Sequence, residues 1–141
     1  MTETQTVHAT AIALGGRGAL LRGRSSSGKS ALALEMMAFG ADLIADDRVH
    51  LTRADDRVVA SCPAALSGLI EARGLGLLRA SPADPAPLAC VVDLDAVVAD
   101  RLPLRRHVTI LGCALPLLHR PDGVSLAPAL LQFLRAGWGD A

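Results

Sequence analysis

The octapeptide Gly23-Arg24-Ser25-Ser26-Ser27-Gly28-Lys29-Ser30 limits what this chain can fold into more than any other stretch. It follows the pattern G-x-x-x-x-G-K-[ST], which at average residue frequencies would arise by chance in a chain of this length at roughly 0.5%. Such a loop cradles phosphate oxygens with consecutive backbone N–H groups and a helix N-terminus, so it needs a strand in front of it and a helix behind it. Both flanks are present. Thr6 to Leu14 is β-branched and apolar in loose alternation, Gly15-Gly16-Arg17-Gly18 reads as a turn, and Ala19-Leu20-Leu21-Arg22 leads into the loop as the second arm of a hairpin. Behind the loop, Ser30 to Ala38 is rich in helix formers and Gly40 suits the C-terminal cap. The pattern predicts binding of a nucleoside triphosphate with Mg²⁺, with Lys29 reaching the β- and γ-phosphates and the Ser30 hydroxyl joining the metal shell. A Gly/Ser-rich surface turn with an exposed lysine would need neither flank.

The lysine stands out for a second reason. Of fourteen basic residues thirteen are arginine, and the remaining one is Lys29. A compact ammonium on a thin stem fits among backbone amides where a planar guanidinium collides. Fourteen acidic residues balance the basic ones, and no basic cluster forms, so the field that draws in nucleic acid or an anionic membrane surface is missing. Both are set aside as partners. Aromatic residues at 2% leave no stacking platform for single-stranded nucleic acid.

With 51% hydrophobic residues in 141, the expectation is a single domain over residues 1–141 that folds without disulfides or metals. Cys62, Cys90 and Cys113 fit neither a disulfide framework nor a paired metal-ligand spacing, and read as small core residues in a reducing compartment. No apolar run reaches the ~18 residues of a membrane span, and Met1-Thr2-Glu3-Thr4-Gln5 carries no basic leader, so a cytoplasmic protein is expected.

Further along, Asp42 to Ala45 reads as a short apolar strand ending in Asp46-Asp47-Arg48, and Val49 to Arg53 pairs with Arg57 to Ala60 across a turn. Strands are expected from Leu66 to Ala72, Leu75 to Arg79 and Leu88 to Asp93, with one or two more between His107 and Leu118. The proline-rich stretch from Ser81 to Pro87 reads as a loop or surface strap. A terminal helix starts near Pro128, shows Leu130, Leu131, Phe133 and Leu134 on its apolar side, and stops at Gly137. The fold class is α/β, strand-rich with few helices.

P-loop proteins differ in where their acidic groups lie. A carboxylate ending a distant apolar strand, here Asp93, could serve the metal. Asp46-Asp47 is nearer, and two adjacent carboxylates closing a strand could divide the labour, one near the cation and the other for acid and base work. A solvated turn would also favour aspartate at both positions.

At this point the residues resemble the catalytic domain of HPr kinase/phosphorylase, a bacterial enzyme that phosphorylates a serine of the phosphocarrier protein HPr. The resemblance runs from about His8 to Pro116. It lies in an early histidine in the first strand, the loop ending Gly-Lys-Ser, Ala45-Asp46-Asp47-Arg48-Val49, Glu71-Ala72-Arg73-Gly74-Leu75-Gly76, and Asp100-Arg101-Leu102. It implies a P-loop kinase domain of the HPr kinase/PEP carboxykinase-like type, using ATP and Mg²⁺ to phosphorylate an HPr-like carrier, and a homo-oligomer.

Carried over by position, the resemblance implies Asp47 as the general base, with Asp46 beside it. It implies His8, Lys29 and Arg101 as further catalytic residues, and Glu71 as a second metal ligand with Ser30. Without it, His8 would read as an ordinary strand residue and Glu71 and Arg101 as surface charges.

Ser26 stands where the family usually has glycine, and Ala31 where it usually has an acid. A serine at position 26 can serve provided that position does not need a positive φ. The family's Pro-Val-Arg-Pro-Gly-Arg segment, linked to dephosphorylation, has only Leu117-Leu118-His119-Arg120-Pro121 near its place. The likeness is therefore to the short, catalytic-domain-only proteobacterial versions, and it leaves the reverse, phosphorylase reaction open. The residues also leave open a non-catalytic module that senses nucleotide and transfers nothing.

Overall fold

Strands whose residues are apolar without a break are stable only when both faces are covered, and that requirement organises this molecule. The structure, a computed structural model, describes residues 3–140; Met1, Thr2 and Ala141, the ends of the expected 1–141 span, lie outside the described residues. Its strands are β1 (Thr4–His8), β2 (Thr10–Leu14), β3 (Arg17–Arg22), β4 (Asp42–Ala45), β5 (Arg48–Ala54), β6 (Arg57–Ser61), β7 (Leu69–Ala72), β8 (Gly76–Arg79), β9 (Ala86–Val98), β10 (Arg106–Ile110) and β11 (Cys113–Pro121). Two helices, α1 (Lys29–Ala38) and α2 (Ala127–Ala136), complete the strand-rich α/β architecture expected from the sequence.

Seven strands pair in the order β1-β5-β6-β9-β3-β2-β4, with β11 joining on β9 and β10 on β11, while β7 and β8 form a separate hairpin. Alternate residues divide between the two faces. On one face Ile12, Ala19, Leu21, Cys90 and Val92 meet Leu32, Ala33 and Met36 of α1 and Leu130, Leu131 and Leu134 of α2. On the other, Ala11, Ala13, Leu20 and Val91 meet Val49, Leu51 and Val58 of β5 and β6 and Leu115 of β11. Burial of a large aliphatic side chain contributes about 1.5–3 kcal/mol. That packing fixes α1, since a helix of 10 residues is marginal in water alone.

β3 and β9 run parallel, so the loop leaving the end of β3 emerges beside the second half of β9. The chain also changes partners twice at one corner. β1 pairs with β5 up to His8↔Arg48, and three residues later β2 pairs with β4, where Ala11 faces Ala45. The steps His8-Ala9-Thr10 and Asp46-Asp47 are therefore neighbours, joined by the Ala9 N–H donating to the Asp47 carbonyl at 3.2 Å.

Three segments differ from the sequence reading. Ala64–Leu66 winds into a single 3-10 turn, so the strand expected from Leu66 begins at Leu69. β9 starts at Ala86 and runs past Asp93 to Val98, because pairing to β6, β3 and β11 in turn supports a longer strand than its apolar run. The run read as one arm from Thr6 to Leu14 is two strands, β1 and β2, because the chain changes partner from β5 to β3 at Ala9; the region from His107 holds two strands, β10 and β11, as the sequence allowed. The proline-rich stretch is a strap, as expected: Pro82 bridges to Leu43 and the Ala83 N–H donates to the Leu43 carbonyl at 2.7 Å, which covers the outer edge of β4. No helix among the described residues is long and apolar enough to cross a membrane.

Cys90 and Cys113 are buried, and Cys62 is half-buried with its thiol donating to the Pro63 carbonyl. Burial pushes the Cys90 thiol from 9.0 up to about 12, against a smaller opposing pull from Arg17. A thiol held protonated is not nucleophilic. Because the folded value is the raised one, this contribution to stability is complete below 9.0 and is lost as pH climbs toward about 12. Maleimide at about pH 8 should leave Cys90 unmodified in the folded chain and label it after unfolding in urea. The urea midpoint, followed by the fluorescence of the sole tryptophan, should fall as pH is raised above about 9.

Candidate active site

The glycine-rich loop from Gly23 to Ser30 closes on itself before it meets anything else. The Ser27 N–H donates to the Arg24 carbonyl at 3.0 Å, and Lys29 Nζ donates to the carbonyls of Gly23 and Arg24 at 2.8 and 3.0 Å. Lys29 is 8% exposed and is the first residue of α1, so the helix N-terminus opens within the motif. Ser26 takes φ 73 and Gly28 φ 98. The condition expected for Ser26 is therefore not met: this position does need the left-handed backbone that glycine adopts freely and serine adopts at a cost of about 1–2 kcal/mol.

The corner between the two strand pairs supplies the carboxylates. Asp46, at the end of β4, is 8% exposed. Its Oδ1 accepts from Ser30 Oγ and from Thr10 Oγ1, both at 2.8 Å, and its Oδ2 accepts from the Glu71 N–H at 3.0 Å. Asp47 follows at φ 72, which turns its side chain to the opposite side, where Oδ1 accepts from His8 Nε2 at 2.9 Å. Left-handed aspartate is uncommon, and backbone of this kind gathers at functional sites. The His8 and Asp47 side chains are 55% and 62% exposed, so a second molecule can reach them.

These groups line one cavity of about 670 Å³, to which the loop contributes Ser25, Ser26, Gly28, Lys29 and Ser30 and the corner His8, Thr10, Asp46 and Asp47, with Glu71 and Arg73 beside them. Two further observations bear on which group it could take. The Ser27 Oγ is buried with no hydrogen-bond partner among the described residues, and a Cβ on Gly23 would come within 2.7 Å of it, so the loop admits only glycine at its first position. The described residues form no cage of three or more His, Cys, Asp or Glu side chains. Ser30, Asp46 and Glu71 instead offer a few hard oxygens, which suits Mg²⁺, an ion that keeps several waters and shares the phosphates of its substrate.

Most of the sequence-predicted positions converge on the cavity; Gly23, Arg24 and Ser27 belong to the loop but not to the lining, and Arg101 stands apart from both. It sits on the exposed loop between β9 and β10, outside the cavity lining. Asp93 is not in the lining either; its Oδ1 accepts from the Asp95 N–H at 3.0 Å, and the Ser30 hydroxyl goes to Asp46. Sequence reasoning missed Thr10, although a lone polar residue within Ala9-Thr10-Ala11-Ile12-Ala13 was a signal. It also missed Arg73 as a lining residue and Arg120, which donates to the Ser27 carbonyl from β11.

Comparison with known proteins bears on the family and the fold. Residues 1–82 match the family model described as HPr Serine kinase C-terminal domain. HPr kinase/phosphorylase of Bordetella pertussis is 46% identical over 79 residues, covering 55% of this chain and 26% of that protein. The protein of the same name from Levilactobacillus brevis is 42% identical over 79 residues, 55% of this chain and 25% of its own length. The match thus spans about a quarter of these curated relatives. A solved structure, the Hpr(Ser) kinase/phosphatase from Coxiella burnetii, superimposes with a TM-score of 0.78 over 93% of this chain and 94% of that one; at 24% identity this is a likeness of fold.

The backbone of Ser26 can be tested directly. Ser26→Gly should leave the urea midpoint unchanged or raise it, because relief of the left-handed strain offsets the freedom gained by the unfolded chain. Ser26→Val, which adds a β-branch at φ 73, should lower stability by roughly 1–2 kcal/mol. Equal stability of the two variants would remove the strain argument.

Proposed function

Because this chain belongs to the HPr serine kinase C-terminal domain family, we propose that it is an ATP- and Mg²⁺-dependent kinase domain that phosphorylates a serine of an HPr-like phosphocarrier protein. The observation that carries the proposal is the single cavity shared by the phosphate-binding loop, the Asp46–Ser30 pair and the Asp47–His8 pair. Each of these answers a different need of phosphoryl transfer, which is mostly positioning and charge stabilisation.

The loop N–H groups, the α1 N-terminus and Lys29 bind and orient the nucleotide's phosphates. Lys29 is held at the loop by carbonyls that are weaker partners than phosphate oxygens, so exchanging them for the ligand is favourable. Ser30, Glu71 and Asp46 would hold Mg²⁺, which when bound spreads and neutralises charge on the phosphate oxygens. Asp47 takes the proton of the acceptor serine. His8 occupies its Oδ1 and leaves Oδ2 to face that hydroxyl, and the exposure of the pair suits an acceptor carried on another protein.

Run backward, the same carboxyl would return the proton, which makes phosphorylase activity chemically compatible with the site. Lys29 and Arg73 are the cationic groups in the cavity. Arg101 would stabilise the transferring group only if its loop moved over the site. A homo-oligomer in the cytoplasm is part of the same proposal.

Purified protein mixed with Mg-ATP and an HPr-like carrier should add one phosphoryl group to the carrier by mass spectrometry. Asp47→Asn should keep nucleotide binding while transfer falls by about 100-fold or more. Asparagine is the substitution of choice because it tolerates φ 72 nearly as well as aspartate. Transfer at the normal rate would take Asp47 out of the mechanism, and ATP binding with no gain in carrier mass would leave a nucleotide-sensing module.

A further inference from the structure

Two strands outside the motif reach the phosphate-binding loop. β9 and β11 run parallel from Leu117↔Val91 to His119↔Asp93, and then the pairing jumps to Arg120↔Val97. Leu94, Asp95 and Ala96 are left without partners on β11, and a bulge of this kind re-aims the side chains beside it. Leu94 goes into the core under the helices. The Asp95 Oδ2 accepts the Arg24 N–H at 2.9 Å, and its Oδ1 lies 3.7 Å from Arg24 Nε. Arg120, the first residue past the step, donates from Nη2 to the Ser27 carbonyl. One strand thus grips the loop at its second residue and the other at its fifth.

The loop is shaped to admit both groups. A Cβ on Gly23 would stand 3.3 Å from the Asp95 carboxylate, and one on Gly28 would stand 3.2 Å from the Arg120 guanidinium. The two glycines that frame the motif therefore make room for these side chains as well as for a ligand. Asp95 and Arg120 bind the backbone that does the cradling, and neither lines the cavity. Backbone amides bind an anion tightly only when their dihedral angles are set in advance, since ordering them during binding subtracts from affinity.

We infer that Asp95 and Arg120 are positioning residues that hold residues 23–28 in their anion-cradling shape, so that the β9 bulge sets nucleotide affinity from outside the motif. The inference rests on the nucleotide-binding reading above, and its test has one readout that does not depend on it. Hydrogen exchange of the loop amides and the dissociation constant of Mg-ATP would be measured for the intact chain and for Asp95→Ala, Asp95→Asn, Arg120→Met and Arg120→Lys.

Asp95→Ala and Arg120→Met should speed exchange in residues 24–28 by about tenfold and weaken Mg-ATP by about five- to thirty-fold. Asp95→Asn and Arg120→Lys, which each retain one bond to the loop, should recover most of both. Arg106→Ala, which removes an exposed arginine on β10, should move neither. Unchanged loop exchange in the alanine and methionine variants would overturn the inference, as would faster exchange spread evenly through the chain. If the unsubstituted protein binds no Mg-ATP, the nucleotide reading fails by itself, and loop exchange still decides whether the strands hold the loop.

Discussion

The Asp46 carboxylate, 8% exposed, accepts from Ser30 Oγ and Thr10 Oγ1 on one oxygen and from the Glu71 N–H on the other. A buried carboxylate is costly unless it is well hydrogen-bonded, and these three donors satisfy most of its demand. They come from α1, β2 and β7, so one side chain at the end of β4 ties four elements to a common point. The Ser30 hydroxyl, the start of α1 and the Glu71 hairpin are positioned relative to Asp46. If it shifted, the cavity would lose its geometry before it lost any single residue.

The next residue does the opposite work with the same functional group. Asp47 leaves the corner at φ 72 and is exposed, so adjacent carboxylates face different surroundings, one inward toward two hydroxyls, the other outward toward His8 and solvent. Ser26 in the loop adopts the same kind of backbone. Both conformations persist because the surroundings hold them: the Ala9 N–H to the Asp47 carbonyl at the corner, and Asp95, Arg120 and Lys29 on the loop carbonyls and amide. Local strain and the contacts that oppose it occur at two places that line the same cavity.

Family membership rests on the first part of the chain, residues 1–82. That part contains every expected site residue except Arg101. The remainder does structural work for it: β9 and β11 extend the sheet beside the loop, and α2 covers the helix face of the core. The cavity is therefore lined from within residues 1–82 and braced by the shorter remainder of the chain; the fold likeness covers 93% of the chain, while the sequence matches cover 55%.

Much of this was legible in the sequence. The strand, loop and helix around Lys29 are local, because glycine spacing, helix formers and apolar alternation act over a few residues. The hairpins β2–β3 and β5–β6 were readable for the same reason, and Asp46 and Asp47 could be singled out as a pair closing a strand. What local pattern could not decide was which carboxylate takes which role, since Asp46, Asp47 and Asp93 all end apolar runs. Only the tertiary structure placed Asp46 against Ser30, turned Asp47 to His8 and left Asp93 outside. It also put Arg101 on an exposed loop, gave Ser26 its left-handed backbone, and brought Asp95 and Arg120 to the loop through a register jump between β9 and β11. Those outcomes depend on pairing between residues far apart in the chain, where a shift of register redirects a side chain, and no short-range signal records that choice.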